Sequence, residues 1–192
     1  MGHINQLRYL KQFKPETDSV LEVGSKDYGN TQDFRSLFDC EYVGLDMEDG
    51  KGVDVVHDLT TGTGELGQYG LIICCSILEH VKNPWLAAET LTKLLKPGGS
   101  IYISTPWVQR YHKYPDDYWR FTFPALQLLF EGLELGNQHL STFTAGEFLD
   151  LALDPDCDSA FQMTHGNRTY LPCYELHTMG TMNETPETTH GN

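Results

Sequence analysis

Val20-Leu21-Glu22-Val23-Gly24-Ser25-Lys26-Asp27-Tyr28-Gly29 is an apolar run that stops on a glycine and gives way to small and polar residues. Residues 19–23 read as a compact strand, and Gly24 lets the backbone turn sharply and approach a ligand with no side chain in the way. A Cβ at Gly24 would intrude on the space the ligand needs, and Gly29 offers a second close approach one turn later. About twenty residues beyond Gly24, Asp46 closes a second strand, the place where an acidic side chain meets the hydroxyls of a nucleoside ribose. A glycine turn with a strand-end carboxylate reads as a nucleoside site. The same pair also arises as ordinary turn chemistry, so taken alone it leaves both readings open.

Outward from this stretch, strands and helices alternate. Residues 5–13 form a leading helix closed by Pro15, 31–38 have helical character, 41–45 are a strand ending in Asp46, and 53–56 and 71–75 are further strands. Residues 83–95 read as an amphipathic helix with Pro84 in its first turn, which Lys96-Pro97-Gly98-Gly99 stops before a strand over 100–104. A helix over 124–131 precedes the last strands, 134–142 and 170–179, expected as an antiparallel edge hairpin. This order predicts an α/β fold with a doubly wound, mostly parallel sheet and helices on both faces. Ligands of such sheets bind at the carboxyl ends of the strands, near the point where the strand order reverses.

The chain has 192 residues, 40% of them apolar, enough for the core of one domain, expected over 1–182. The last ten residues, 183–192, are rich in Thr, Glu, Pro and Gly and are expected to be a disordered tail. A formal charge of −14 with dispersed basic residues repels naked nucleic acid, so a neutral, cationic or carrier-presented substrate is preferred. The sequence has no apolar run long enough for a membrane span, and its amino terminus is polar and mixed, so a soluble, cytoplasmic protein is expected. Five scattered cysteines, Cys40, Cys74, Cys75, Cys157 and Cys173, argue for free thiols, with Cys74 and Cys75 inside an apolar strand. The acidic run 150–158 reads as a solvated turn, and no metal site is expected.

Four motifs follow one another in order: Glu22-Val23-Gly24-Ser25, then Tyr42-Val43-Gly44-Leu45-Asp46, then Ser76-Ile77-Leu78-Glu79-His80-Val81, then Leu94-Leu95-Lys96-Pro97-Gly98-Gly99 with Thr105-Pro106. Their order and spacing resemble those of the class I S-adenosylmethionine-dependent methyltransferases, closely over 19–106 and loosely beyond. The resemblance implies a seven-stranded Rossmann-like sheet and S-adenosylmethionine as cofactor. It implies that Glu22 and the Gly24–Ser25 backbone hold the methionine portion, Asp46 the ribose hydroxyls, and that Met47 flanks the adenine. Asp58 and Leu59 take the adenine edge, and Ser76 to Leu78 line the site at the fourth strand. Lys26 stands where the family commonly has a second glycine, which predicts a different loop path. Glu79 and His80 read equally as a helix-start pair and as catalytic groups.

After the fifth strand, residues 107–122 crowd aromatic and titratable side chains together. They read as the acceptor side of the site or as a lid anchored on the core by Trp119 and Phe121, with Asp117 and Arg120 as an ion pair. Methyl transfer is chiefly a matter of alignment, but a hydroxyl nucleophile must also lose a proton. Histidine ordinarily titrates near neutrality, so His112 is the candidate general base, with Asp117 as its orienting partner or substitute. The acceptor is expected to be a small molecule or glycan, methylated at oxygen. Two other readings compete: a protein that binds the cofactor without transfer, and an NAD-type oxidoreductase, which would favour a G-x-G-x-x-G turn that this chain lacks.

Overall fold

The computed structural model describes residues 4–29, 31–113, 115–141, 148–150, 163–165, 168–170 and 175–183. Helix α1 (Ile4–Phe13) leads into β1 (Ser19–Val23), β2 (Glu41–Asp46), β3 (Val55–Val56) and β4 (Tyr69–Cys75). Helix α2 (Pro84–Lys93), β5 (Leu95–Pro106), α3 (Phe123–Leu129) and β6 (Leu133–Ser141) follow, then the short β7 (Phe148–Asp150), β8 (Met163–His165) and β9 (Arg168–Tyr170), and finally β10 (Glu175–Met182). The main sheet has the order β3-β2-β1-β4-β5-β10-β6-β7, and among the described residues β8 pairs only with β9. Neighbours from β3 to β5 are parallel, whereas β10 is antiparallel to both β5 and β6. The mostly parallel sheet with an antiparallel edge is therefore present, with β7 as an eighth strand beyond the seven expected.

Central strands covered on both faces should be apolar at nearly every position, and Leu71-Ile72-Ile73-Cys74 of β4 is fully buried. Alternation sends Leu21, Ile72 and Ile103 to one face, where they pack with Ala87 and Leu91 of α2 and Leu126 of α3. Val20, Ile73 and Tyr102 pack on the other face with Tyr9 and Leu10 of α1 and with Phe34. Cys74 and Cys75 are free thiols, and burial pushes both upward from the ordinary thiol range. Cys157, Cys173, residue 30 and nearly all of the acidic run lie outside the described residues, as does the tail beyond Asn183.

Three expectations need correction. The helical segment over 31–38 contracts to a single 3₁₀ turn, Arg35–Leu37, closed by Leu37 N to Phe34 O at 3.0 Å and Phe38 N to Arg35 O at 3.2 Å. Asp33 Oδ1 accepts from Ser36 N at 3.1 Å, the local competition through which aspartate favours turns over helices. Second, Lys96-Pro97-Gly98-Gly99 does not precede β5 but lies within it. The pairing jumps from Tyr69 with Leu95 to Leu71 with Ser100, so these four residues bulge out while the strand continues, with Gly98 at φ +74°. Third, β10 begins at Glu175, and Tyr170 belongs to β9.

Candidate functional site

The strand order reverses between β1 and β4, so the carboxyl ends of these strands and of β2 and β5 are where a ligand of such a sheet would bind. Gly24 leaves β1 at φ +75°, a conformation that side chains disfavour, and both Gly24 N and Ser25 N donate to Leu45 O, at 2.8 and 3.1 Å. The turn is thereby fastened to the end of β2, where Asp46 stands. Asp46 Oδ2 accepts from Lys26 N at 3.2 Å and Oδ1 from Glu48 N at 3.0 Å. The half-buried carboxylate is held by two backbone amides, and each oxygen retains acceptor capacity.

The loop around Lys26 is fixed by its surroundings rather than by a second glycine. Lys26 Nζ meets Glu48 Oε2 at 2.7 Å, Asp27 N donates to Lys51 O at 2.8 Å, and Lys51 Nζ meets Asp27 Oδ2 at 2.6 Å. Gly29, at φ +88°, is exposed with open space where a Cβ would stand. A Cβ at Gly24, by contrast, would overlap Ile77 Cδ1, so the side-chain position there is filled by the loop after β4.

The remaining cofactor candidates divide between rim and core. Glu22 Oε2 accepts from the Tyr42 hydroxyl at 2.8 Å, and burial pushes the Glu22 carboxyl up against the pull of that bond and of Arg35. Met47 is 60% exposed at the end of β2. Asp58 is exposed, and its Oδ1 caps the 3₁₀ turn Leu59–Thr61 by accepting from Thr60 N at 2.8 Å. The side chains of Leu59 and Leu78 belong to the core. Ser25 is buried as well, and its hydroxyl has no partner. Ser76 takes φ +55° at the end of β4, with its N–H on Ser104 O at 2.8 Å. A non-glycine residue in this region costs about 1–3 kcal/mol, a strain that clusters at functional sites.

Residues 116–119 are pinned against the turn that follows β4. Tyr118 N and Trp119 N both donate to Glu79 O at 2.8 and 3.2 Å, His80 Nδ1 meets Asp116 O at 2.5 Å, and Trp119 Nε1 donates to Val81 O at 3.0 Å. Phe121 is buried, Trp107 and Trp119 pack on the same core, and Tyr111 and Tyr118 remain exposed; Tyr114 lies outside the described residues. Arg120 grips both oxygens of Asp117, at 2.5 and 2.8 Å, and holds that carboxyl well below the usual carboxylate range. Asp117, its side chain only 1% exposed, also accepts from His112 N at 2.8 Å and lies 3.3 Å from His112 Nδ1. The hydrogen bond between the two residues runs through the His112 backbone N–H, and among the described residues His112 Nδ1 is buried without a hydrogen-bond partner. A carboxylate locked by a guanidinium is a poor proton acceptor, so the arrangement suits Asp117 to orienting the imidazole.

Sequence reading passed over Gln6 and Glu175. The Gln6 side-chain amide reaches from α1 to Ser76 Oγ at 2.9 Å and to Glu175 Oε1, bringing the first helix and the last strand to the end of β4. Glu175 is 2% exposed, and burial pushes its carboxyl up to about 7. Beside it Tyr102 Oη and His177 Nδ1 are 2.8 Å apart, and His177 Nε2 meets Ser141 Oγ at 2.8 Å. The available signal was polar Asn5 and Gln6 on the same buried side of α1 as Tyr9 and Leu10.

A family described as a methyltransferase domain matches residues 4–154. Among curated proteins, the ubiquinone biosynthesis O-methyltransferase of Shewanella pealeana is 33% identical over 102 residues, 45% of this chain and 42% of that protein. The protein of the same description from Erwinia tasmaniensis is 34% identical over 61 residues, 31% of this chain and 25% of its own length. The chain thus spans less than half the length of these curated relatives. Among solved structures, a SAM-dependent methyltransferase from Archaeoglobus fulgidus superposes with a TM-score of 0.66 at 12% identity, covering 93% of this chain and 92% of that one. The N-methyltransferase NodS from Bradyrhizobium japonicum, solved with S-adenosylhomocysteine, gives a TM-score of 0.59 at 13% identity over 94% and 86%. At these identities the likeness is one of fold. Among the described residues no helix is long and apolar enough to cross a membrane.

Proposed function

This chain belongs to the methyltransferase-domain family, whose class I fold and S-adenosylmethionine cofactor it shares, and we propose that it transfers a methyl group to an oxygen of a small-molecule acceptor. The observation that carries the reading is the Asp46 carboxylate, held by Lys26 N and Glu48 N beside the Gly24 turn at the switch point. A carboxylate so placed, with free lone pairs on both oxygens, matches the paired hydroxyls of a ribose. The cofactor supplies a methyl group already activated on a sulfonium. The residues do the rest: Asp46 holds the ribose, the Gly24–Ser25 backbone and Glu22 receive the methionine portion, Met47 and the Asp58–Leu59 backbone border the adenine, and Ser76 with Leu78 closes the β4 side. His112 stands on the acceptor side to take the hydroxyl proton, positioned by Asp117.

Oxygen as the accepting atom draws support from the descriptions of the curated relatives, which name O-methyltransferases of ubiquinone biosynthesis. A small-molecule acceptor draws support from the same relatives, whose descriptions name ubiquinone biosynthesis. The fold also weighs against the dinucleotide reading. A pyrophosphate rests on the amino terminus of the helix that follows the first strand, and among the described residues only the 3₁₀ turn Arg35–Leu37 lies between β1 and β2.

The test is a screen of phenolic and other hydroxylated small molecules with isotopically labelled S-adenosylmethionine. Acceptor-dependent label transfer with matching formation of S-adenosylhomocysteine is expected. Cofactor binding without acceptor-dependent turnover across nitrogen, oxygen and carbon nucleophiles would replace transfer with a binding role.

A further inference from the structure

Glu79, His80 and His112 each direct a ligating atom into one small volume, with these atoms all within 4.8 Å of one another. Two come from the 3₁₀ turn Leu78–His80 after β4 and the third from the segment pinned over it. Glu79 is fully buried. Its Oε2 accepts from Thr105 Oγ1 at 3.2 Å, while Oε1 has no hydrogen-bond partner and lies 3.7 Å from His80 Nε2. A buried carboxylate oxygen without a partner is costly, and this one faces an imidazole nitrogen.

The surroundings are those of prepared ligands. His80 Nδ1 lies 2.5 Å from the Asp116 carbonyl, which accepts hydrogen bonds only, so the proton sits on Nδ1 and Nε2 carries the lone pair on the Glu79 side. His112 meets His80 edge-on with ring centroids 4.9 Å apart, and the Arg120-locked Asp117 lies 3.3 Å from its Nδ1. A hydrogen-bonded carbonyl behind the His80 imidazole is the outer contact that holds a metal-ligating histidine in position, and His112 Nδ1 is a buried ring nitrogen with no hydrogen-bond partner among the described residues.

We propose that Glu79, His80 and His112 form a binding site for one divalent first-row transition-metal ion, such as Zn²⁺, Co²⁺ or Fe²⁺. Two imidazoles and one carboxylate favour such ions over Mg²⁺ or Ca²⁺, which take all-oxygen sets. Three protein ligands leave at least one coordination position open, and His80 and His112 are only half-buried, so that position faces the acceptor side. An acceptor hydroxyl bound there would be made more acidic by the ion and would release its proton to solvent, so that with the ion bound His112 acts as a ligand and no protein base is required. Ion binding itself does not depend on the transfer reading, because it is measured with the metal alone.

The experiment titrates Co²⁺ and Zn²⁺ into the chelator-treated full chain, freed of any purification tag. Binding of one equivalent is expected, with a visible d–d band for Co²⁺ that Zn²⁺ abolishes and that equal Mg²⁺ leaves unchanged. His112→Ala, a change at a half-buried position, should lower Zn²⁺ affinity at least tenfold by calorimetry while the far-ultraviolet circular dichroism stays native, and Glu79→Gln should do the same. Zn²⁺ affinity equal in the wild type and a folded His112→Ala protein, or the lack of a one-equivalent Co²⁺ band, overturns the site.

Discussion

Asp46 and Lys26 are joined by a 3.2 Å hydrogen bond from the Lys26 backbone N–H to Asp46 Oδ2, which ties the loop after β1 to the end of β2. The bond orients the carboxylate before any ligand arrives, and preorganisation of this kind makes a charge-assisted hydrogen bond effective. Asp46→Ala should weaken S-adenosylmethionine binding by about 1.5–3 kcal/mol, the usual contribution of a hydrogen bond to a charged group. Isothermal titration on a folded variant checks this, and unchanged affinity would remove Asp46 from the ribose.

Gly24→Val meets two obstacles, a positive φ and the Ile77 side chain in the Cβ position. The backbone strain alone is about 1–3 kcal/mol, so the melting temperature should fall and cofactor binding should be lost. Trimming Ile77 to alanine in the same chain should recover part of the stability, because it removes the overlap and leaves the φ strain. If the Gly24→Val protein binds S-adenosylmethionine normally, the ligand does not rest on this turn.

His112→Ala should cut turnover by about 10²–10⁴, the usual range for acid–base assistance, with little change in cofactor affinity. Single-turnover kinetics beside equilibrium binding separate the two quantities. A loss of activity that tracks cofactor affinity would move His112 to the cofactor side, and full turnover would leave it as packing in the lid.

Glu175 contributes to the pH dependence of stability, beside Glu79, whose buried carboxyl is pushed up to about 8. The Glu175 carboxyl rises from 4.5 to about 7 in the folded chain through burial. Below about 4.5 both folded and unfolded states hold the proton and nothing is lost. As the pH rises from there the unfolded state releases its proton while the folded state keeps it, so stability falls until about pH 7 and the loss from this group is then complete. Thermal melts with chelator present should show this decline, and Glu175→Gln should make it shallower. A variant whose slope equals that of the wild type would mean that Glu175 ionises freely in the fold.

The parts of the site that the sequence displayed are those set by local chemistry. The apolar run into Gly24, the strand ending in Asp46 and Pro84 at the start of α2 are each decided within a few residues, and all three stand in the structure. Segment 31–38 misled because its composition permits a helix, while Asp33 and the early start of β2 at Glu41 permit only a turn. Nothing local could show that Gln6 meets Glu175, 169 positions away, or that His80 meets the Asp116 carbonyl 36 positions on. Those contacts depend on which strand ends the sheet brings together. The same holds for Glu79, which reads in sequence equally as a helix-start carboxylate and as a catalytic group, and whose burial depends on Tyr118 and Trp119 docking on its carbonyl.

The most direct test of the account is equilibrium binding of labelled S-adenosylmethionine to the wild-type chain, repeated with Asp46→Ala. One saturable site is expected, displaced by S-adenosylhomocysteine and untouched by NAD⁺, with affinity about 10- to 150-fold weaker in the folded variant. No saturable binding, or binding that NAD⁺ displaces, would contradict it.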